Sequence, residues 1–133
     1  MPEKETLRRA EEDKREGKSP STQAGEFVRE EMHHIREGKH GAKSTKQAIA
    51  IGLSKARRSG VELKPPRKGK ASAKTRASAE RDYSRGHSRK KKATSAKRSR
   101  SRLAALKREP RSAASHKALS RQAKSAARRR KAA

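Results

Sequence analysis

Large apolar side chains are sparse along this chain, and they are densest between Ser19 and Gly60. There they recur at helical spacing. Ala24, Val28, Met32 and Ile35 form one stripe at 100° per residue, with Phe27 at its edge. Ser19-Pro20 reads as an N-cap followed by proline at the first helical position, and Gly38 stands where a C-terminal glycine belongs. The pattern predicts a helix from residue 20 to 37. Gly25 inside it costs about 1 kcal/mol relative to alanine.

A glycine-flanked turn, "GKHGAKS", follows. Ser44 and Gln47 have the spacing of a capping box, in which two side chains satisfy two orphan backbone donors. A second helix is predicted from Thr45 to about Ser59, with Gly60 past its end. Ile49, Gly52, Leu53 and Ala56 share a face. Two helices joined so briefly pack as a hairpin, and Gly52 lets their backbones approach. Ile51 lies on the other side, near Lys55 and Arg58, and is a candidate for self-association or a protein partner.

The flanks are polar. Residues 1–18 alternate acid and base, with Leu7 and Ala10 nearly the only apolar side chains, and read as a frayed helix or a disordered segment. Residues 61–71, containing Pro65-Pro66, read as a linker. Residues 72–133 are a Lys/Arg/Ala/Ser tail with helical segments expected near 72–83, 96–109 and 112–131. In the last of these Lys117, Arg121, Lys124, Arg128 and Lys131 follow steps of 4, 3, 4 and 3 and share an 80° sector. Leu119, Ala123 and Ala126 lie opposite. Crowded like charges repel, so this helix is expected to form on binding a polyanion.

Composition sharpens the picture. Hydrophobic residues make up 28% and charged residues 41%, with one Phe, one Tyr and no Trp. Such a chain has little apolar surface with which to offset its ordering entropy. The expected fold class is mainly α: a small helical hairpin (19–60) plus a flexible or conditionally helical basic tail, largely non-globular. The formal net charge is +26. Residues 1–59 hold 14 Lys+Arg against 10 Asp+Glu, a net of +4, and the remainder hold 26 against 4, a net of +22. That asymmetry predicts a polyanionic partner, DNA first and RNA or the ribosome second, reached by counterion release. Nothing approaches the ~18 apolar residues of a membrane span, and the N-terminus has no apolar signal region. A cytoplasmic, nucleoid location with no membrane partner is expected.

Enzyme chemistry finds little purchase. Cysteine is absent, which excludes disulfides and thiolate metal sites. Glu30 and His33 have Glu-x-x-His spacing with Glu37 one turn beyond, but no second such motif is read, H-E-x-x-H is missing and the helical wheel puts these groups on a solvated face. His34 borders Phe27 and is read as packing or capping rather than coordinating. No metal, cofactor, catalytic residue or small-molecule substrate is expected. "GKHGAKST" resembles a phosphate loop only in flavour: its spacing is wrong, though its helix N-terminus with Lys43 or Lys46 is a candidate for one phosphate. A helix-turn-helix reading of 45–59 is weakened by the want of a third helix and of base-reading side chains beyond Gln47.

Residues 25–60 resemble the domain of a family of small, basic, bacterial proteins of uncharacterised function. The shared pattern is carried by Val28, Met32, His33, Gly38, Lys46 to Ile51, Leu53, Ser54, Ala56, Arg57 and Gly60. Members of that family are often labelled DNA-binding. The resemblance implies a bacterial source and a genuine domain, and supplies no catalytic residue. The tail is similar in composition to histone-like bacterial nucleoid proteins. The expected function is non-enzymatic, largely sequence-independent DNA binding. The expected phosphate contacts are Lys90, Lys91, Lys92, Lys97, Arg98, Arg100, Arg102, Lys117, Arg121, Lys124, Arg128, Arg129, Arg130 and Lys131, extended on the hairpin by Lys55, Arg57 and Arg58.

Overall fold

The computed structural model describes residues 2–88 and 95–132. Among them six α-helices follow in order: α1 Lys4–Arg15, α2 Pro20–Arg36, α3 Thr45–Arg58, α4 Ala73–His87, α5 Ala96–Lys107 and α6 His116–Ala132, with a 3-10 turn at Ser112–Ala114 before the last. No described residue belongs to a strand beyond one isolated bridge between Lys68 and Ala71.

Serine starts five of these helices. The hydroxyls of Ser19, Ser44, Ser72, Ser95 and Ser115 each accept the backbone N–H three residues on, at 3.1–3.3 Å. Each satisfies one orphan donor of a helix N-terminus. At α3 the expected box forms with a shift of one residue: Gln47 Oε1 accepts from the N–H of Lys43, at 2.5 Å. At the other ends, Gly38 (φ +79°) and Gly60 (φ +97°) close α2 and α3. Lys39 N–H reaches the His34 carbonyl and Val61 N–H reaches that of Ala56, the six-to-one bond of a Schellman motif.

The chain divides into two compact units, one of Met1–Glu30 with Ile51–Ala93, the other of Glu31–Ala50 with Thr94–Ala133. In the first, Ala10, Ala24, Phe27, Ala56 and Val61 form a small core, flanked by the half-buried Leu53 and Leu63. A Cβ at Gly52 would lie 2.7 Å from Val28 Cα, so α2 and α3 meet through backbone at that point, as the hairpin requires. α4 joins this unit through Ala79, Asp82 and Gly86, spaced along one face. Asp82 Oδ2 accepts from the Ser54 hydroxyl at 2.6 Å, and a Cβ at Gly86 would fall on the Arg57 carbonyl oxygen.

The second unit is held in the same manner. Gly41 N–H donates to the Leu106 carbonyl at 2.8 Å and Ala42 N–H to that of Pro110 at 3.0 Å. A Cβ at Gly41 would overlap the Glu109 carbonyl. Thr45 Oγ1 donates to Ala113 O at 2.6 Å, Arg36 Nε to Ala114 O at 3.0 Å, and the Arg111 guanidinium to the carbonyls of Ile35 and Arg36. Ala113 and Ala114 are buried.

These contacts correct the expectation of a flexible, largely non-globular tail: residues after 72 are folded across most of their length. Composition misleads because burial here relies on Ala79, Gly86, Ala113 and Ala114 and on close backbone approach, rather than on large apolar side chains. The N-terminal segment is likewise helical. Thr6, Ala10 and Asp13 of α1 are buried, and Glu30 of α2 accepts the Glu3 N–H at 2.6 Å and the Thr6 hydroxyl at 3.1 Å. Glu30 is therefore an interior acceptor, not part of a solvated acid and histidine face. His33 and Glu37 do remain exposed.

Candidate nucleic-acid interface

α6 begins after the 3-10 turn, with Ser115 as its cap. Ala118, Leu119, Gln122 and Ser125 to Ala127 are half-buried, which fixes the rotation of the helix within its unit. The opposite side then carries Lys117, Arg121, Lys124, Arg128 and Lys131, all exposed. At 1.5 Å per residue their span is about 21 Å. Arg129 and Arg130 are exposed near the C-terminus of the same helix. In α5 Lys97, Arg98, Arg100 and Arg102 are exposed, and α5 buries no residue. Neither helix contains an Asp or Glu. Among the described residues, none of these eleven cationic side chains is engaged in an ion pair or a side-chain hydrogen bond. Lys90, Lys91 and Lys92 lie outside the described residues.

The three hairpin cations are placed differently. Arg57 is 8% exposed; its guanidinium donates to the carbonyls of Leu63 and Lys64, at 3.1 and 3.3 Å. Burial pushes its pKa down, with Asp82 opposing. It secures the chain leaving α3, and its expected role as a phosphate contact does not fit that placement. Lys55 is half-buried with Nζ 3.8 Å from Glu30 Oε2. Arg58 donates to Ser54 O and lies 3.9 Å from Asp82. Ile51 is half-buried.

In the turn before α3 most backbone donors are already engaged. The N–H groups of Gly41 and Ala42 bind carbonyls, and those of Lys43 and Gln47 complete the cap. α3 exposes little beyond Lys46 and Ala50, so it offers no reading surface to a groove. An open groove of about 510 Å³ lies at the start of α6, lined by Arg36, Arg111, Ser112, Ala114, Ser115 and His116. Its two arginines are walls tied to backbone carbonyls. Tyr83, the one tyrosine, is stacked on His87 with ring centroids 4.1 Å apart.

One constellation escapes the sequence reading. Glu31 and His34 of α2 and His40 of the following turn bring a carboxylate oxygen and two imidazole nitrogens within 4.8 Å of one another. His34 meets His40 edge to face, centroids 6.0 Å apart. The sequence signal was the overlap in "EEMHH": Glu30 to His33 is one Glu-x-x-His and Glu31 to His34 is another. Only burial distinguishes them.

Among the described residues no helix is long and apolar enough to cross a membrane. Residues 19–68 match a family of unknown function, DUF6496. That span covers α2, the turn and α3, and includes Glu31, His34 and His40, whereas α4 to α6 lie beyond it. No curated protein and no solved structure matches the chain.

Proposed function

We propose that the protein is a non-enzymatic, nucleoid-type DNA-binding protein that contacts phosphates with little regard to sequence. The observation that carries this is the α6 stripe: five exposed cations in register, on a helix without an acid. A helix in that state has its like charges unneutralised. A polyanion relieves the repulsion and releases its own condensed counterions, and both effects favour binding. A duplex presents one charge per about 1.7 Å of axis, dense enough to meet the whole row. Base stacking contributes little, since the chain has one Tyr, one Phe and no Trp.

The test is anisotropy with labelled duplex DNA from about 50 to 300 mM salt. Engagement of the five stripe cations alone gives a log–log slope near −4.5, and α5 steepens it. The affinity is expected to be equal for unrelated sequences. No complex with any duplex at the lowest salt would reject the reading. Competition among duplex DNA, duplex RNA and ribosomal RNA at one salt concentration decides between DNA and an RNA- or ribosome-bound role.

A further inference from the structure

We infer that Glu31, His34 and His40 form a binding site for a divalent transition-metal ion of the zinc type. The site is built by local rules. Glu31 and His34 are three apart on α2 and so are neighbours on its surface. Gly38 ends α2 in the left-handed conformation, and the chain turns back to deliver His40. Glu31 and His40 are buried, their side chains 1% and 7% exposed, and His34 is half-buried.

The hydrogen bonds of His40 narrow what can occupy the space. Its Nδ1 lies 2.8 Å from the Gly41 carbonyl, which can only accept, so Nδ1 carries a proton. In the neutral ring Nε2 then presents a lone pair. That nitrogen faces Glu31 Oε2 at 3.1 Å. An imidazole lone pair and a carboxylate oxygen repel at this distance in a buried setting unless a cation stands between them. A proton would serve a pair. The third group, His34, has a ring nitrogen within 4.8 Å of both the others, which is the arrangement a metal uses.

The dimensions agree. Bonds of about 2.0–2.1 Å in a tetrahedral site separate the ligand atoms by about 3.3 Å. The Glu31 to His40 edge is 3.1 Å. The remaining edges, no longer than 4.8 Å, close with small side-chain rotations. An Nδ1–H bonded to a backbone carbonyl is also the usual outer bond of a ligating histidine, fixing both tautomer and ring orientation. Two imidazoles and one carboxylate suit zinc and its neighbours, with one coordination position left for water. Such an ion would pin the 38–43 turn to α2. That turn also carries Gly41 and Ala42, whose N–H groups hold residues 106–110.

The test uses the full chain, stripped of nucleic acid at high salt and of metal with a chelator. Co²⁺ is titrated with visible absorption as the readout, followed by Zn²⁺. Expected are one equivalent of Co²⁺ with tetrahedral bands, bleaching by Zn²⁺, and a rise in the melting temperature with Zn²⁺. His34→Ala should abolish all three while keeping the helical circular dichroism, because His34 is only half-buried. His33→Ala, at the exposed neighbour, should leave all three intact. Glu31→Gln should behave as His34→Ala does. Absence of saturable binding at micromolar metal overturns the site, leaving a shared proton between Glu31 and His40. Equal binding by the wild type and His34→Ala, or loss in His33→Ala, overturns it as well.

Discussion

α1 and α6 are both highly charged helices, and they use charge in opposite ways. α1 carries Lys4, Arg8, Arg9, Lys14 and Arg15 among Glu5, Glu11, Glu12 and Asp13. Arg8 bridges Glu5 at 2.7 Å and Glu12 at 2.6 Å, and Arg9 reaches Glu5 at 3.3 Å. α6 has seven Lys and Arg and no acid. The density of cations is therefore a poor guide to a binding surface. Cations that have no acid within one helical turn are the informative ones. In α1 the field is cancelled locally; in α6 it projects into solvent.

Matched charge removal on the two helices tests that contrast directly. Changing Lys117, Arg121, Lys124, Arg128 and Lys131 to Gln removes five cations, and so does changing Lys4, Arg8, Arg9, Lys14 and Arg15. The α6 variant should flatten the salt slope of DNA binding by about 4.5. It should also weaken affinity at least about 100-fold near 0.1 M salt, the range set by losing several phosphate contacts. The α1 variant should change the slope by less than about 1. Equal losses in both would show that total charge alone matters, and the comparison would collapse.

The second test asks how firmly the basic C-terminal segment is held. Gly41→Ala places a Cβ on the Glu109 carbonyl. Backbone on both sides leaves little room to yield, so the loss should be about 3 kcal/mol or more, the upper end for overpacking. Gly25 is exposed in α2 with open space around its missing Cβ. Gly25→Ala should therefore stabilise, by about 0.5–1 kcal/mol, through helix propensity alone. Urea denaturation followed by circular dichroism measures both. A silent Gly41→Ala would mean that residues 106–110 are not anchored to the turn.

These sites also mark what could be read from sequence. The helices α2 and α3 were legible because Ala24, Met32 and Ile35 repeat at 3.6 and Ser19, Gly38, Ser44 and Gly60 punctuate them. Gly52 was legible as a point of close approach. The folding of the later helices was not, since Ala79, Gly86, Ala113 and Ala114 add almost nothing to a hydropathy pattern yet permit backbone to meet backbone. Serines that resemble low-complexity filler, Ser72, Ser95 and Ser115, are helix caps. Arg57 has the same letter as the exposed arginines, and only the two carbonyls beside it turn it inward. Glu30 reads as solvated for a related reason: a wheel drawn for α2 alone omits the groups packed against it.

A cap gives a smaller effect. Ser44→Ala removes the acceptor of the Gln47 N–H at the start of α3 and should destabilise by about 1 kcal/mol. Ser95→Ala removes the equivalent acceptor for Arg98 in α5, a helix with no buried residue. Hydrogen exchange should then show local fraying of α5 with little change in global stability. If Ser95→Ala costs as much globally as Ser44→Ala, α5 is part of the cooperative fold to the same degree as α3.

The smallest effect returns to α1 and α6, because salt and acid should act on them with different signs. Hydrogen bonding from Arg8 and its charge, with a further contribution from Arg9, hold the Glu5 carboxyl below the usual carboxylate range. A depressed folded-state pKa contributes stability above the unfolded value that is lost as pH falls through the folded one. α1 should therefore fray in acid, below the ordinary carboxylate pKa, and Glu5→Gln should remove that response. α6 has no Asp or Glu to protonate, so it has no such transition of its own. Added salt screens attraction in α1 and repulsion in α6. In the DNA-free protein at neutral pH, amide exchange should quicken in α1 and slow in α6 as salt rises from about 20 to 300 mM, a range over which the screening length shortens severalfold. Exchange that shifts in the same direction in both helices would mean that α6 is not under like-charge strain, and the relief of that strain by a polyanion could no longer be part of how it binds.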